Sequence, residues 1–390
     1  DADPASEVDL YTKEEHFVLD YSKPAGEQWT YKGYTVNKYK YPDDPRVHNW
    51  SAGAKVQRIQ GELFLFVNTM HMETLFQCYR FSPETDGEIA IPSVFMAAGP
   101  HNKPDGWPNG QPAQGEYIWR DANGDGAFEA SEYDSKATEA PRIWGWSVDS
   151  NGTVWQATQT NGIRKFPLQG LDAHGNPIWN YDSMEIIETP APITRLERIY
   201  YEPAADAMYL VGYTQENPHH DGMWKVMGRQ VVRYDNWSQG NRVARWSVVP
   251  DYKQDSSGDI KPASVAIADE FLFIVYVKEE RVVVYSTETG AFVGEMSPLQ
   301  ELGDCGWVDI PEGIEAYKRD NGEYLIFVEE DAKAKIIMYQ WDPAGVDVGH
   351  APEVEILSPS ADSLYSMRAS FIVQADATDD GWVTKVDFFA

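Results

Sequence analysis

Residues 264–296 read SVAIADEFLFIVYVKEERVVVYSTETGAFVGEM, and this stretch holds one complete unit of a repeat. A short apolar run ends at Ile267, a polar turn follows, and the next run continues to Val275. These runs are rich in β-branched and aromatic residues, which favour strands. A third run ends at the aromatic anchor Tyr285, and a fourth begins after the turn that closes at Gly290. The pattern predicts four antiparallel strands joined by short turns.

The same order of runs recurs along the chain. Central runs begin at residues 62, 152, 206, 270 and 322, so that successive starts are 90, 54, 64 and 52 residues apart. Their aromatic anchors are Tyr79, Phe166, Tyr234, Tyr285 and Tyr339. Four-stranded units of this size, repeated around an axis, make a β-propeller, and a stacked array of β-sandwiches is the alternative. The sequence therefore predicts an all-β fold.

The number of blades depends on two segments outside the five units. Residues 1–50 either form a blade or close the ring, since predicted strands at residues 17–21 and 34–41 would supply the outer strand that the last unit lacks. Counting this segment gives six blades. A degenerate unit within residues 121–133 would make seven.

Two of the units resemble a known kind of repeat. Residues 148–155, VDSNGTVW, and residues 281–290, RVVVYSTETG, resemble the blades of NHL and related six- or seven-bladed propellers. The resemblance covers residues 51–345. It implies a fold but no particular function, because propellers serve as binding platforms, lyases, hydrolases and quinoprotein dehydrogenases.

The C-terminal residues form a second unit. Residues 351–361, APEVEILSPSA, and residues 371–389, FIVQADATDDGWVTKVDFF, resemble the first half of a bacterial Ig-like domain. Such domains are appended to secreted polysaccharide-active proteins, so the resemblance implies an extracellular protein with further domains. Because an Ig-like sandwich needs about seven strands and three are readable, we expect a truncated domain. The predicted organisation is a propeller over residues 1–345, a linker at 346–350, and a partial Ig-like domain at 351–390.

Composition excludes several classes of function. The chain has 62 acidic and 32 basic side chains in 390 residues, and its formal net charge of -30 opposes a phosphate backbone. We therefore expect no nucleic-acid partner. No stretch approaches the roughly 20 apolar residues that span a bilayer. The two cysteines, Cys78 and Cys305, form either one bridge or two buried thiols.

Residues 121–132, DANGDGAFEASE, match a calcium-binding loop of the EF-hand type. Such a loop supplies oxygen ligands from positions 1, 3, 5, 7, 9 and 12 and needs glycine at position 6, which is Gly126 here. The predicted Ca²⁺ ligands are Asp121, Asn123, Asp125, the Ala127 carbonyl, Glu129 through water, and Glu132. The preceding residues read as a strand, and Pro141 prevents a long helix afterwards. The loop thus resembles isolated calcium loops of dockerins and extracellular propellers, which implies a structural role.

Two long insertions predict where a ligand binds. Residues 99–141 join an outer strand to the next inner strand, and residues 215–228 join a second strand to a third, so both should rise on the same face. Aromatic rings stack on sugars, which favours a polysaccharide ligand there. The candidate substrate-binding residues are Trp107, Trp119, Trp144, Trp146, Trp224 and Trp307. Packing of these tryptophans between blades is the alternative.

A catalytic role for the same face stays open. In a polysaccharide lyase or hydrolase, His219 or His220 would act as base, Arg195 would neutralise a uronate carboxylate, and Tyr213 would act as acid. His71 is expected to be buried. No nucleophile elbow, zinc-protease helix, phosphate loop or dinucleotide fingerprint is present in the sequence. A binding protein is the favoured prediction, an enzyme the second, and a protein-interaction platform the third.

Overall fold

The structure is a computed structural model. It describes residues 1–24, 26–49, 51–69, 75–101, 106–220, 226–255, 258–277, 281–298, 308, 312–330, 335–346, 353–358 and 374–378. Within these residues the fold is nearly all-β, with two α-helices of four residues each, α1 (Pro45–His48) and α2 (Pro83–Asp86). Six antiparallel sheets follow one another along the chain and form the six blades of a β-propeller. The predicted fold class is confirmed.

The strands of each blade follow one another in chain order. Blade 1 contains β1 (Asp9–Tyr11), β2 (Glu15–Leu19) and β3 (Trp29–Tyr34). Blade 2 contains six strands, β4 (Ser51–Ile59), β5 (Glu62–Thr69), β6 (Leu75–Phe81), β7 (Ala90–Ala97), β8 (Tyr117–Arg120) and β9 (Tyr133–Ser135). Blade 3 contains β10 (Ile143–Val148), β11 (Val154–Thr158), β12 (Ile163–Phe166) and β13 (Glu185–Ile187), and blade 4 contains β14 (Ile193–Glu202), β15 (Ala207–Thr214), β16 (Gln230–Asp235) and β17 (Ala244–Val248). A hairpin, β18 (Lys253–Asp255) and β19 (Gly258–Ile260), leads to blade 5, which contains β20 (Pro262–Ala268), β21 (Phe271–Tyr276), β22 (Val282–Ser286) and β23 (Phe292–Met296). Blade 6 contains β24 (Ile314–Lys318), β25 (Tyr324–Glu330) and β26 (Lys335–Trp341), and β27 (Glu353–Ser358) pairs with β28 (Gln374–Thr378) beyond it.

Apolar cores lie between successive blades and close the ring. The core between blades 3 and 4 contains Leu196 and Leu210, and the core between blades 5 and 6 contains Phe273 and Ile326. The last core joins blade 6 to blade 1, where Leu325 packs with Leu10 and Leu19. Burial of these faces is the main favourable contribution to folding. The repeated apolar runs of the sequence therefore become interfaces between neighbouring sheets.

Strand direction defines two faces of the ring. The front face carries the loops between the second and third strands and the connections between blades, such as residues 159–162 and 215–229. The back face carries the turns between first and second strands and between third and fourth strands, such as residues 149–153 and 82–89. Loops on one face can share a ligand, whereas loops on opposite faces are separated by the strands.

Of the two alternatives for the N-terminal residues, the structure shows a separate blade, so they do not supply an outer strand to the last blade. The predicted strand at 17–21 overlaps β2, and β1 precedes it. The predicted strand at 34–41 is wrong, because β3 ends at Tyr34 and turns follow. Blade 6 has three strands among the described residues. The short β1 run was too brief to stand out as a strand in the sequence.

The long insertion after β7 also differs from the prediction. Its strands β8 and β9 extend the outer edge of blade 2, so the segment 121–133 does not form a seventh blade. Since β8 runs antiparallel to β7, the loop that follows Arg120 returns to the back face. The predicted calcium loop therefore lies on the face opposite to the loop at residues 215–229.

Candidate functional site

Arginine side chains gather at the front ends of the inner strands β10 and β14. Arg195 lies near the start of β14, and its Nε donates to Glu197 Oε1 at 2.6 Å. Arg198 on the same strand donates to the Trp144 carbonyl of β10 at 2.7 Å. Arg142, just before β10, stacks on the Trp144 ring with its Cζ 4.8 Å from the ring centroid. Two adjacent inner strands thus place the Arg142 and Arg195 guanidinium groups at one mouth of the ring, with Arg198 buried behind them.

Glu197 is the buried carboxylate beneath this cluster. Its side chain is 1% exposed, whereas the Arg195 side chain is 28% exposed. Gln159 donates to both carboxylate oxygens, at 3.1 and 3.3 Å. Burial raises the pKa of Glu197, and the hydrogen bond from Arg195 opposes this rise. A Cβ on Gly145 would lie 2.5 Å from the Glu197 carbonyl oxygen, so glycine is needed where the two strands approach.

The structure brings together three of the four predicted catalytic residues. The Tyr213 and His219 rings are nearly perpendicular, with centroids 4.9 Å apart, and the Arg195 Cζ lies 6.0 Å from the Tyr213 centroid. His219 is exposed, but Tyr213 is 1% exposed. Burial raises the pKa of Tyr213, and the Glu197 carboxylate adds to this rise. Tyr213 therefore supports His219 from below and does not itself face a ligand.

His220, the fourth predicted catalytic residue, belongs to a neighbouring group. Its ring lies 6.1 Å from the Tyr252 ring. The Arg229 guanidinium covers Tyr252, with Cζ 4.2 Å from the centroid, and its Nη2 donates to Asn217 Oδ1 at 3.4 Å. The buried Arg229 Nε has no hydrogen-bond partner within the described part of the chain. A fourth guanidinium thus extends the front-face cluster along blade 4.

Most of the candidate substrate-binding tryptophans that can be placed are buried. Trp107, Trp119 and Trp146 are 3%, 0% and 3% exposed. Trp107 donates to the Asp43 carbonyl at 3.0 Å, and Trp146 stacks on a neighbouring phenylalanine in the core between blades 2 and 3. These three rings stabilise the fold, whereas Trp144 is half-buried. The predicted residues that lie outside the described part of the chain are Trp224, Trp307, His71 and Cys305. Cys78 is a buried free thiol.

The predicted calcium loop folds around its own side-chain oxygens. The Gly126 N–H donates to Asp121 Oδ1 at 2.9 Å, and the Asp125 N–H donates to Asn123 Oδ1 at 3.0 Å. The Ala127 N–H donates to Asp125 Oδ1 at 2.8 Å. Gly126 has a φ of 73°, in the region that favours glycine. The loop thus turns these three side chains inward.

The oxygen atoms that the loop offers are suitable Ca²⁺ ligands, but in this structure they accept hydrogen bonds from N–H groups. Glu132 accepts from the Trp119 Nε1 and from the Ala122 N–H, both at 2.8 Å. Arg80 lies 3.2 Å from Asp121 Oδ2. Burial raises the pKa of Asp121, and it also raises the pKa of Glu132. Among the described residues, no group of three His, Cys, Asp or Glu side chains is arranged to hold a metal. Metal binding would therefore require the carboxylates to move closer to one another than they are in this structure.

Polar contacts fasten this loop to blade 3. The Asn176 side chain donates to the Asp121 carbonyl at 2.5 Å and accepts from Ser93 at 2.7 Å. Arg120 pairs with Asp172 at 2.5 Å. All five groups come from the outer part of blade 2 and the turn between β12 and β13. The loop therefore joins two neighbouring blades at the back face.

Aromatic residues that the sequence prediction did not select are exposed on blade 1. Trp29, Tyr31 and Tyr34 of β3 are 57%, 43% and 60% exposed, and Tyr39 is 89% exposed. The signal that identifies them is the run WTYKGY at residues 29–34, in which large rings alternate with polar residues along a short edge strand. The predicted substrate-binding residues are tryptophans of insertions and inner strands, and they do not include the rings of β3.

Comparisons with known proteins support the assignment of the C-terminal unit. Residues 352–390 match the bacterial Ig domain family. A comparison with curated proteins finds no match. Among solved structures, Saccharomyces cerevisiae Sqt1 is 8% identical, with 84% of this chain and 90% of that chain covered and a TM-score of 0.42. The Cps50 (Swd1) β-propeller domain of Myceliophteria thermophila is 10% identical, with 73% and 82% covered and a TM-score of 0.34.

A bacterial structure gives a similar result. A Bacteroides uniformis protein with the provisional description 6-phosphogluconolactonase is 10% identical, with 84% of this chain and 92% of that chain covered and a TM-score of 0.37. At this level of similarity nothing follows about the ligand of the present chain. No helix in the described residues is long and apolar enough to cross a membrane.

Proposed function

We propose that this chain is an exported bacterial propeller whose front face binds a polysaccharide, with a carboxylated sugar unit at Arg195. The supporting observation is that Arg142 and the partly exposed Arg195 lie at the front ends of neighbouring inner strands. Arg198 is buried behind them and donates to backbone carbonyls, and Arg229 lies on the same face of blade 4. Although the net charge of -30 opposes a polyanion as a whole, these exposed guanidinium groups favour a carboxylate at this position. Export is supported by the match of the C-terminal residues to a bacterial Ig domain.

Trp144 gives this face its apolar contact. Its ring is half-buried, and Arg142 stacks against it. Arg195 is held by the buried Glu197, so little side-chain freedom is lost when its exposed N–H groups bind a ligand. A sugar ring next to Trp144 with its carboxylate on Arg195 would use both groups. Binding therefore requires neither catalysis nor a cofactor.

Affinity electrophoresis through gels containing alginate, polygalacturonate or neutral xyloglucan tests this proposal. The variant R195Q/E197Q removes the exposed cation without leaving a buried carboxylate unpaired. We expect it to bind the carboxylated chains about tenfold more weakly than the parent protein. Arg245→Gln, on the outer strand of blade 4, is the matched control and should bind normally. Equal retardation of R195Q/E197Q and the parent would exclude this face.

We propose a lyase as the second candidate for the same face. The exposed His219 and Arg195 both lie against the Tyr213 ring, so a base and a carboxylate-binding group belong to one part of this face. The burial of Tyr213 argues against its role as the acid, so water or His220 would serve instead. Appearance of unsaturated sugar ends that depends on His219 would support the lyase; retention without product formation would support binding alone. Absence of both would favour the protein-interaction platform.

We also propose that Ca²⁺ binds the loop at residues 121–132 and strengthens the connection between blades 2 and 3. The expected ligands are Asp121, Asn123, Asp125, the Ala127 carbonyl, Glu129 through water, and Glu132. The electrostatics of the loop support this proposal: burial raises the pKa of Asp121 and of Glu132, Asp125 adds to the rise at Asp121, Asp121 adds to the rise at Glu132, and a cation would relieve this repulsion.

Titration calorimetry and thermal unfolding test the calcium proposal. Saturating Ca²⁺ at about 100 times the Kd should add about 2.7 kcal/mol to the free energy of unfolding. Glu132→Ala should abolish that increment, and Glu139→Ala, outside the loop, should preserve it. An unchanged melting temperature with Ca²⁺ or chelator, together with no heat of binding, would refute the proposal.

A further inference from the structure

The exposed face of blade 1 has the form of a second binding surface. We propose that Trp29, Tyr31 and Tyr34 form an aromatic platform that binds an extended polysaccharide chain carrying carboxylates. This platform lies on strand β3, away from the front-face arginines, and the proposal does not rest on the function of that face. Its three members are all more than 40% exposed.

A local irregularity puts the three rings on one side of the strand. Tyr31 pairs with Phe17 and Gly33 pairs with His16, so Lys32 is an extra residue that shifts the register. Without this bulge, alternation would place Tyr34 on the side opposite to Tyr31. With the bulge, the Tyr31 and Tyr34 rings lie 5.6 Å apart at 73°.

Phe17 supports the platform from the neighbouring strand β2, on the same side of the sheet. Its ring contacts the Trp29 ring and the Tyr31 ring, both at 5.7 Å and both edge to face. Phe17 itself packs against the core between blades 6 and 1, which contains Leu325. The platform is therefore anchored to the ring, and its outward faces can bind without a large loss of side-chain freedom.

The chemistry of the strand favours a polysaccharide over a protein strand. A flat apolar edge would invite another strand to pair, but bulges and exposed lysines on an edge prevent such pairing. Strand β3 has both features at Lys32. Its exposed large side chains are all tryptophan or tyrosine, which combine a ring face with a hydrogen-bonding group, and no aliphatic side chain accompanies them. Sugar rings need this combination.

The charge of the surrounding segment supports a carboxylated chain. Residues 21–41 contain four lysines and one glutamate, in a protein whose net charge is -30. Lys32 and Lys38 are exposed, and Lys38 lies 5.4 Å from the centroid of the Tyr39 ring. Two of the four lysines are ion-paired, Lys23 with Asp20 and Lys40 with Asp86, and Glu15 and Glu88 lie next to β3. The positive charge available to a ligand beside the rings is therefore that of Lys32 and Lys38.

Affinity electrophoresis in the R195Q/E197Q background tests the platform separately from the front face. The probes are alginate and polygalacturonate, with xyloglucan as the neutral chain. We expect the triple variant W29A/Y31A/Y34A to bind the carboxylated chains about tenfold more weakly than this background, and Lys32→Gln to weaken binding more at low salt than at high salt. Phe292→Ala, which removes another exposed ring on β23, is the matched control.

Circular dichroism should show that the triple variant folds, because all three rings are exposed. Loss of retardation in the triple variant with normal behaviour of Phe292→Ala would support the platform. Equal retardation of the triple variant and its background, absence of any retardation of that background, or retardation by xyloglucan alone would overturn the proposal. If R195Q/E197Q alone abolishes all binding, the front face binds the chain and the platform does not.

Discussion

Blades 1 and 4 are held in the ring by different interactions. Blade 4 has four strands, and its first strand alone spans 10 residues. Leu196 and Leu210 are fully buried on the side facing blade 3, and Val211 and Tyr209 are buried on the side facing blade 5. Extensive apolar contact on both sides secures this blade.

Blade 1 has three short strands, and buried polar clamps add to the apolar cores that it shares with blades 6 and 2. Arg46 and Asp44 form an ion pair whose side chains are 0% and 1% exposed. Arg46 also donates to the Thr35 carbonyl next to blade 1 and to the Ala90 carbonyl of blade 2. On the other side, the Asp320 N–H of blade 6 donates to Glu7. These contacts join blade 1 to both of its neighbours.

This difference indicates which part of the ring is most sensitive to single substitutions. An apolar interface distributes its energy over many contacts, and loss of one side chain leaves the others in place. A buried ionic clamp concentrates its energy in a few groups, because removing one partner leaves a charge without compensation. Blade 1 should therefore depend on fewer residues than blade 4.

Arg46→Ala is expected to have the largest effect. It leaves Asp44 buried without its cation and removes the donors that join blades 1 and 2, so the free energy of unfolding should fall by about 3 to 5 kcal/mol. Chemical denaturation measures this change. Lys32→Ala, an exposed substitution in the same segment, should change it by less than about 0.5 kcal/mol. The double variant R46M/D44L should be more stable than Arg46→Ala, and an equally low stability would show that the charge left behind is not the cause.

Leucine substitutions in two interblade cores compare the local stability of blade 1 with that of blade 4. Leu325 in the core between blades 6 and 1 and Leu210 in the core between blades 3 and 4 are both fully buried. Replacing either with alanine should cost about 3 kcal/mol. In hydrogen exchange, Leu325→Ala should release the amides of β1 and β2 before those of the other blades, whereas Leu210→Ala should affect the ring as a whole. Identical exchange patterns would show that blade 1 is no weaker than blade 4.

The sequence was most informative where the pattern repeats and least informative where residues depend on distant contacts. The central runs ending near Val67, Val211 and Val275 become second strands of their blades, because successive apolar residues point to opposite faces of a sheet that is buried on both. The insertion tryptophans behave otherwise, since Trp107, Trp119 and Phe128 build a small core of their own. A sequence shows that such rings are large and apolar, but not which of them the fold buries.

In the front-face site, too, residues placed by the order of the strands were predictable, whereas residues placed by distant contacts were not. Arg195, Tyr213 and His219 meet because β14 and β15 are paired neighbours, and the order of the predicted strands already implied this. The position of the calcium loop did not follow, because the direction of β8 depends on its pairing with β7. The exposed rings of β3 do not follow from the sequence either, because their exposure depends on how the outer strand packs against its neighbours.

Substitution of Glu312 should have the smallest effect on the free energy of unfolding. It tests, through its dependence on pH, a direct contact between blades 6 and 2. Its Oε2 accepts from Asn68 Nδ2 at 2.9 Å, which joins the front end of blade 6 directly to blade 2. Burial raises the pKa of Glu312 to about 7, the Glu315 carboxylate adds to the rise, and Arg198 and Lys55 oppose it. The buried Oε1 has no hydrogen-bond partner among the described residues.

A carboxyl group whose pKa is higher in the folded protein than the ordinary value of 4.5 binds its proton more tightly when folded. Its contribution to stability is complete below pH 4.5 and is lost as the pH rises through 7. The parent protein should therefore lose stability on the order of 1 kcal/mol from this group between about pH 5 and 8, after allowance for partial solvent contact. Glu312→Gln keeps an oxygen acceptor for Asn68 but does not titrate, so its stability should depend less on pH over this interval. Urea denaturation at several pH values across the interval measures the difference.

Glu323→Gln is the control, because the pKa of Glu323 is lowered and its titration lies below this window. Parallel pH profiles for the parent and Glu312→Gln would contradict the prediction. They would mean that Glu312 is ionised throughout the interval and that its hydrogen bond with Asn68 does not depend on pH.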